Sequence, residues 1–118
     1  MRVEVRKISQ TEYEIDVEDV KLVSARIPLR LYQLLEAKTK NKSEYIRRVI
    51  TEILKKDIDL FDISSLDLPT EKRDKIITFR VQYALYKSMV ENAKRYESLN
   101  EFLNRAISWG IEKNDILN

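Results

Sequence analysis

A short pattern occurs twice in this chain of 118 residues, and the repeat restricts the possible fold more than any other feature. The stretch ARIPLRLYQLL at residues 25–35 is matched by FRVQYALYKSM at residues 79–89. Arg26 and Arg80 stand at equivalent positions, and the hydrophobic period changes at each of them. Before the arginine, apolar and polar residues alternate as in a strand. After it, the apolar residues follow helical spacing.

A second helix is predicted in each copy, because apolar residues again recur at helical spacing. The two stripes are Ile46, Val49, Ile50, Ile53 and Leu54, and Leu103, Ala106, Ile107, Gly110 and Ile111. Ser43 and Asn100 are favourable N-cap residues followed by Glu, so both helices are predicted to begin there. The offset between the copies is 54 at the arginines (26 to 80) and 57 at these caps (43 to 100). The first helix or turn of the second copy is therefore predicted to be three residues longer.

Neither copy is expected to fold alone, because about 35 residues with one short strand leave a sheet edge unpaired and a helix stripe uncovered. Two copies remove both problems if their strands pair and their four helices pack beneath the strands. We therefore predict a mainly α protein with a short two-stranded antiparallel β-ribbon. Residues 24–27 are predicted to pair with residues 78–81 of the same chain.

This architecture predicts four segments along the chain. Residues 1–20 form an N-terminal extension with extended or β structure, and residues 21–56 form the first strand-helix-helix unit. Residues 57–75 are an acidic linker that packs along the helices, because its apolar residues alternate with acids and it contains no Gly. Residues 76–114 form the second unit, and residues 21–114 are expected to make one compact domain.

Charge is distributed unevenly, although the formal net charge is only +2. Residues 23–56 hold nine basic and three acidic residues, whereas residues 57–75 hold three and six. The first unit therefore concentrates positive charge where a polyanion is able to dock, although a solvated helix face gives the same pattern.

The residue types that are missing exclude several kinds of site. The chain has no Cys, no His and a single Gly. This excludes the common zinc sites, the usual Cys/His and Ser/His nucleophiles and a glycine-rich phosphate loop. We expect no enzyme activity, and neither a cofactor, a metal nor a small-molecule substrate.

The composition also predicts a location. No apolar run approaches the ~20 residues that a transmembrane helix requires, and the first residues lack the apolar core of a secretory signal. Absence of Cys is typical of intracellular proteins. We expect a cytoplasmic protein without a membrane partner, and the many Lys, Glu and Ile residues suit a heat-adapted organism.

The two copies resemble the ribbon-helix-helix (MetJ/Arc-type) DNA-binding proteins. ARIPLRLYQLL and FRVQYALYKSM resemble the strand and first helix of that family, and KSEYIRRVI and LNEFLNRAI resemble the start of its second helix. The chain is also similar to regulators of archaeal viruses that use this fold. The family usually has one unit per chain and forms homodimers, whereas here two tandem units would form a pseudo-dimer. In that family the turn between the two helices usually contains Gly. In the first unit of this chain only Asn41 is available in that turn, and Asn tolerates a positive φ.

The resemblance implies a sequence-specific transcription regulator, such as a repressor, that binds double-stranded DNA. It would lie in the cytoplasm, or in the host cytoplasm if viral, in association with the nucleoid. In the family, the outward face of the ribbon lies in the DNA major groove. The residues that match this face are Ser24, Arg26, Thr78 and Arg80, with each arginine expected to read a guanine.

The resemblance also implies phosphate contacts at the start of the second helix of each unit, where backbone N–H groups lack intrahelical partners. The matching residues are Ser43 and Glu44 in the first unit and Asn100 and Glu101 in the second. Lys42 adds positive charge to the first site.

Several alternatives stay open at this point. Tyr32 and Tyr86 are expected to belong to the core or to support the ribbon, and Trp109 either packs or forms an oligomer contact. A homodimer or higher oligomer on DNA is expected, because one ribbon reads few base pairs. The alternative to DNA binding is an antitoxin-like or structural module that binds another protein. Steep salt dependence of DNA binding would separate these functions.

Overall fold

The structure, a computed structural model, describes residues 20–61 and 72–113. Two strands and four helices follow one another as β1 Val20–Ile27, α1 Leu29–Lys38, α2 Lys42–Lys56, β2 Lys75–Gln82, α3 Tyr83–Ala93 and α4 Leu99–Glu112. The order strand-helix-helix therefore occurs twice, and the predicted mainly helical fold with a two-stranded sheet is confirmed. The predicted N-terminal extension and the middle of the predicted linker lie outside the described residues.

The two strands pair with each other in an antiparallel ribbon. Ser24 lies opposite Thr78, and the register runs from the pair Val20 and Gln82 to the pair of residues 27 and 75. Residues 24–27 therefore pair with residues 75–78, and the predicted pairing with 78–81 is wrong by three residues. Exposure alternates along both strands, so that one face of the ribbon is buried and the other is exposed. The buried face carries Val23, Ala25, Ile27, Ile77, Phe79 and Val81. This is the alternation that the sequence predicts.

The core lies between the buried face of the ribbon and the apolar stripes of the helices. Both predicted second-helix stripes are buried, with Leu54 and Ile111 partly buried at their ends. Burial of each large aliphatic side chain contributes about 1.5–3 kcal/mol to folding, so the two stripes supply much of the stability. Trp109 is only 5% exposed and belongs to this core, which favours the packing role over the oligomer contact.

The turn between α1 and α2 places the start of α2 earlier than predicted. The cap of α2 is Asn41, whose side chain accepts a hydrogen bond from the backbone N–H of Glu44 at 3.1 Å. The prediction that Ser43 caps this helix is therefore wrong. Asn41 was expected to adopt a positive φ in this turn, but its φ is −117°.

The turn between α3 and α4 is longer, as the change of offset predicts. This turn has five residues, 94–98, against three, 39–41, in the first unit, and α3 is one residue longer than α1. The turn contains a 3₁₀ helix at Lys94–Tyr96, after which Glu97 adopts a positive φ of 82°. Ser98 caps α4 and accepts a hydrogen bond from the backbone N–H of Glu101 at 3.0 Å. The prediction that Asn100 caps α4 is therefore wrong, and its side chain instead binds the backbone of Arg26.

The helices α2 and α4 approach closely at Gly110. A Cβ atom at this position would lie 2.6 Å from Cγ2 of Val49 and 3.3 Å from the hydroxyl oxygen of Tyr45. The absence of a side chain at Gly110 therefore permits the contact. Tyr45 is buried, its hydroxyl has no hydrogen-bond partner among the described residues, and burial raises its pKa.

The start of the predicted linker packs against the second unit. Leu60 is fully buried, and its backbone N–H donates to the hydroxyl oxygen of Tyr96 at 3.1 Å. Arg105 of α4 donates to the carbonyl oxygen of Leu60 at 3.1 Å. These bonds hold the chain against α4 immediately after it leaves α2.

Candidate nucleic-acid interface

The four residues predicted to read bases lie together on the exposed face of the ribbon. Ser24 and Thr78 lie opposite each other at its middle, with their hydroxyl oxygens 3.1 Å apart. Arg26 and Arg80 are both exposed and lie on either side of this pair. Arg26 lies opposite Ile76, so the two arginine positions are four residues apart along β2, a distance of about 13 Å.

Three large apolar residues share this face, and the prediction from sequence omits them; Val20, 45% exposed, lies at its end opposite Gln82, and the other two lie beside the arginines. Leu22 is 65% exposed and lies opposite Arg80, and Ile76 is 57% exposed and lies opposite Arg26. An aliphatic side chain and an arginine are therefore neighbours on each side of the middle pair. The signal is present in the sequence, since both residues precede a predicted base-reading hydroxyl by two positions and so fall on the same face.

The ribbon is basic along its whole length. Lys21 and Arg26 lie on β1, Lys75 and Arg80 lie on β2, and neither strand contains an Asp or a Glu. All four basic side chains belong to exposed residues. A ribbon of this charge attracts a polyanion and does not repel it at any position.

The strand lysines also connect the ribbon to the first helices. The ammonium nitrogen of Lys21 lies 5.2 Å from the ring centre of Tyr86, and that of Lys75 lies 4.9 Å from the ring centre of Tyr32. Both distances are in the range of cation–π attraction. Each contact joins the strand of one unit to the first helix of the other. The two tyrosines are partly buried against the core, so their predicted packing and supporting role is confirmed.

Side chains from the second helices hold the ribbon backbone at both arginines. Arg47 of α2 donates from Nη1 to the carbonyl oxygen of Arg80 at 3.0 Å. Asn104 of α4 donates from Nδ2 to the carbonyl oxygen of Arg26 at 2.9 Å. Arg47 and Asn104 are equivalent residues of the two units (47 to 104), although their chemistry differs. We call this arrangement the crossed anchors, because each second helix holds the strand of the other unit.

Asn100 makes a further bond to β1. Its Oδ1 accepts from the backbone N–H of Arg26 at 2.7 Å, and its Nδ2 lies 3.3 Å from the carbonyl oxygen of the same residue. Asn104, which is fully buried, also donates to the carbonyl oxygen of Asn100 at 2.8 Å. The two asparagines therefore fix the backbone of Arg26 more firmly than Arg47 alone fixes that of Arg80.

The predicted phosphate-binding residues lie beside the ribbon, but not all of their N–H groups are available. The backbone N–H groups of Glu44 and Glu101 donate to the caps of their helices. In addition, the carboxylate of Glu101 is paired with Arg73 and Arg105, each at 3.0 Å. The N–H groups that the caps leave for a phosphate lie one position earlier, at Ser43 and at Asn100.

Both helix starts border depressions next to the ribbon. The depression at α2 is lined by Lys40, Lys42, Ser43 and Thr78, among others. At α4, Asn100 lines a depression together with Ser24 and Arg26, among others. Ile76 lines both depressions, so the starts of the two helices lie next to the middle of the ribbon face.

Other kinds of site find no support in the described part of the chain. No group of three or more His, Cys, Asp or Glu side chains there is placed to hold a metal ion. None of the helices in residues 20–61 and 72–113 is long and apolar enough to cross a membrane. Comparisons with models of protein families, with curated proteins and with solved structures found no match.

Proposed function

We propose that this protein binds double-stranded DNA through the exposed face of the ribbon and regulates transcription at the sites that it binds. In this proposal the two units form a tandem ribbon-helix-helix pseudo-dimer. The observation that carries the proposal is the ribbon face itself, on which Arg26 and Arg80 flank a central pair of hydroxyl residues and no acidic residue occurs. The major groove of B-DNA is wide enough to admit a two-stranded ribbon of this kind.

The chemistry of the face suits direct reading of base edges. An arginine guanidinium can donate two hydrogen bonds to O6 and N7 of guanine, and a Ser or Thr hydroxyl can reach several base edges. The crossed anchors support this function, because they fix the backbone of each arginine while its side chain points away from the core. A fixed backbone reduces the ordering that binding requires.

The starts of α2 and α4 would supply the phosphate contacts. Their N–H groups lie at the positive ends of the helix dipoles, and Ser43 and Asn100 both border the ribbon. Lys42 strengthens the first site. Contacts of this kind fix the position of the protein on the duplex but carry no sequence information.

The first test is selection of bound sequences from random duplex DNA, followed by titration of the selected and scrambled duplexes at several salt concentrations. The affinity for both duplexes should fall steeply with salt, with a slope of about −0.9 for each phosphate contacted. The selected duplex should bind at least ~10³-fold more tightly than the scrambled one. Salt-independent binding without sequence preference would refute the proposal and leave the protein-binding alternative.

The second test assigns the reading face. Arg26→Ala and Arg80→Ala should each reduce discrimination at one guanine by about 1–3 kcal/mol. Stability should change by less than ~0.5 kcal/mol, because both side chains are on the surface. Arg95→Ala is the matched control, since it removes an arginine of the α3–α4 turn that is paired with Asp57 at 3.4 Å. If both ribbon variants weaken binding to selected and scrambled DNA equally, the ribbon does not read bases.

We also propose that copies of the chain associate on DNA, because one ribbon contacts few base pairs and gives a limited specificity ratio. Trp109 is buried and does not supply the contact. Sedimentation of the protein alone and with the selected duplex measures the stoichiometry, and one chain per duplex in all conditions would contradict the association.

A further inference from the structure

Of the three aliphatic residues on the ribbon face, Leu22 and Ile76 lie opposite its arginines, whereas Val20 lies at its end opposite Gln82. Leu22 and Ile76 are 65% and 57% exposed, whereas the aliphatic residues of the opposite face are buried. Covering a side chain of this type contributes about 1.5–3 kcal/mol, which is available only to a ligand that brings apolar surface to the ribbon. The same face carries two arginines and no acid, which favours an anionic ligand.

Each aliphatic residue is a cross-strand neighbour of an arginine. Leu22 lies opposite Arg80, and Ile76 lies opposite Arg26. Side chains of such pairs have Cβ atoms about 4.5–5.5 Å apart on the same face. A ligand that meets one arginine therefore meets an aliphatic group at the adjacent position. Among the base edges of the major groove, the C5 methyl of thymine is the apolar group.

We infer that Leu22 and Ile76 contact thymine methyl groups, so that each arginine–aliphatic pair reads a guanine and a neighbouring thymine. This inference rests on the proposed DNA binding and adds the composition of the target. It adds Leu22 and Ile76 to the two arginines as specificity residues.

The arrangement of the two pairs also predicts the symmetry of the target. Six of the eight outward positions repeat the order aliphatic, hydroxyl, arginine in both strands: Leu22, Ser24 and Arg26, and Ile76, Thr78 and Arg80. Beneath the ribbon, in contrast, the equivalent residues Arg47 and Asn104 differ in size and charge. These six positions therefore have twofold chemistry although the chain as a whole does not. The two arginines lie about 13 Å apart along the ribbon, and base pairs are spaced by about 3.4 Å. The target is thus an inverted pair of guanine-and-thymine elements with centres about four base pairs apart.

The experiment replaces thymine by uracil, which lacks the C5 methyl, at each element of the selected duplex in turn. The affinity of the wild-type chain for each substituted duplex should fall about fourfold, the loss expected when one methyl-sized apolar contact is removed. Leu22→Ala should bind the unsubstituted duplex more weakly. It should then be insensitive to uracil at one element and keep the fourfold response at the other, and Ile76→Ala should show the reverse.

Leu29→Ala is the matched control, because Leu29 is also 50% exposed but begins α1 and lies outside the ribbon. It should respond to uracil as the wild-type chain does. Leu22→Ala and Ile76→Ala variants that remain as sensitive to uracil as the wild type would overturn the inference, as would a selected sequence without an inverted repeat. Either result leaves DNA binding itself intact. Failure to bind any duplex overturns both the proposed function and this inference.

Discussion

A side chain at Gly110 tests whether the close contact of α2 and α4 limits the packing of the two units. In an exposed helix interior, Gly→Ala stabilises by about 1 kcal/mol. At Gly110 the new Cβ would lie 2.6 Å from Cγ2 of Val49, about 1 Å closer than a normal carbon–carbon contact. Val49 is fully buried and, as a β-branched residue in a helix, has essentially one favourable rotamer. Overpacking of this kind costs about 1–3 kcal/mol, so Gly110→Ala should lower the free energy of unfolding by about 1 kcal/mol net.

A double-mutant cycle isolates the contact. Val49→Ala alone should cost about 2 kcal/mol, because it deletes two buried methyl groups and leaves a cavity. In that background the methyl group at position 110 has room, so Gly110→Ala should stabilise by its helix propensity of about 1 kcal/mol. The predicted coupling free energy between the two positions is therefore about 2 kcal/mol. Urea unfolding followed by circular dichroism measures it, because the difference in free energy of unfolding follows from the shift of the midpoint when the slope m is unchanged. If Gly110→Ala stabilises both backgrounds equally, the two helices do not meet closely at this point.

Three further predictions concern single side chains. Tyr45→Phe removes a buried hydroxyl without a partner among the described residues, so stability at neutral pH should be kept or raised. Because burial raises the pKa of Tyr45, the unfolded chain loses the hydroxyl proton at a lower pH than the folded chain does. The stability of the wild type should therefore fall as the pH rises above about 10. Thermal unfolding measured against pH tests this, and an equal alkaline loss of stability in Tyr45→Phe would contradict it. Lys42→Ala should weaken binding to all DNA sequences alike and lower the salt slope by about one unit, whereas a loss on the selected sequence alone would argue against a phosphate contact. Glu97→Gly should raise the free energy of unfolding by about 1 kcal/mol, because Glu97 has a φ of 82°; Glu97→Ala should bring no gain in the same urea assay.

Periodicity predicted the elements and the core well, because it depends on neighbours a few residues away. The alternation around Arg26 and Arg80 predicted both strands and their buried faces, and helical spacing predicted both second-helix stripes. The caps were misplaced by two residues because Ser43 and Asn100 are favourable cap residues in isolation. The better criterion is an acid three positions after the cap, which selects Asn41 for Glu44 and Ser98 for Glu101.

The crossed anchors could not be predicted from local patterns. Arg47 and Asn104 are polar residues next to apolar stripes, and such residues usually face solvent. Their partners are carbonyl oxygens of distant strands, so the contacts depend on how the two units pack. A weak signal exists in the second unit, where Asn100, Asn104 and Ser108 recur every four residues and therefore share one face of α4.

The crossed anchors have a consequence for the dynamics of the ribbon. A two-stranded hairpin is only marginally stable by itself in water, and its amide protons exchange quickly through local opening. Here the ribbon cannot open at Arg26 or Arg80 without releasing a side chain of α4 or α2. Its amide protons should therefore exchange as slowly as those of the core helices, through cooperative unfolding of both units together. A rigid exposed surface loses little conformational entropy when a partner binds to it. Less of the free energy of the contacts is then offset by ordering, and the affinity is higher.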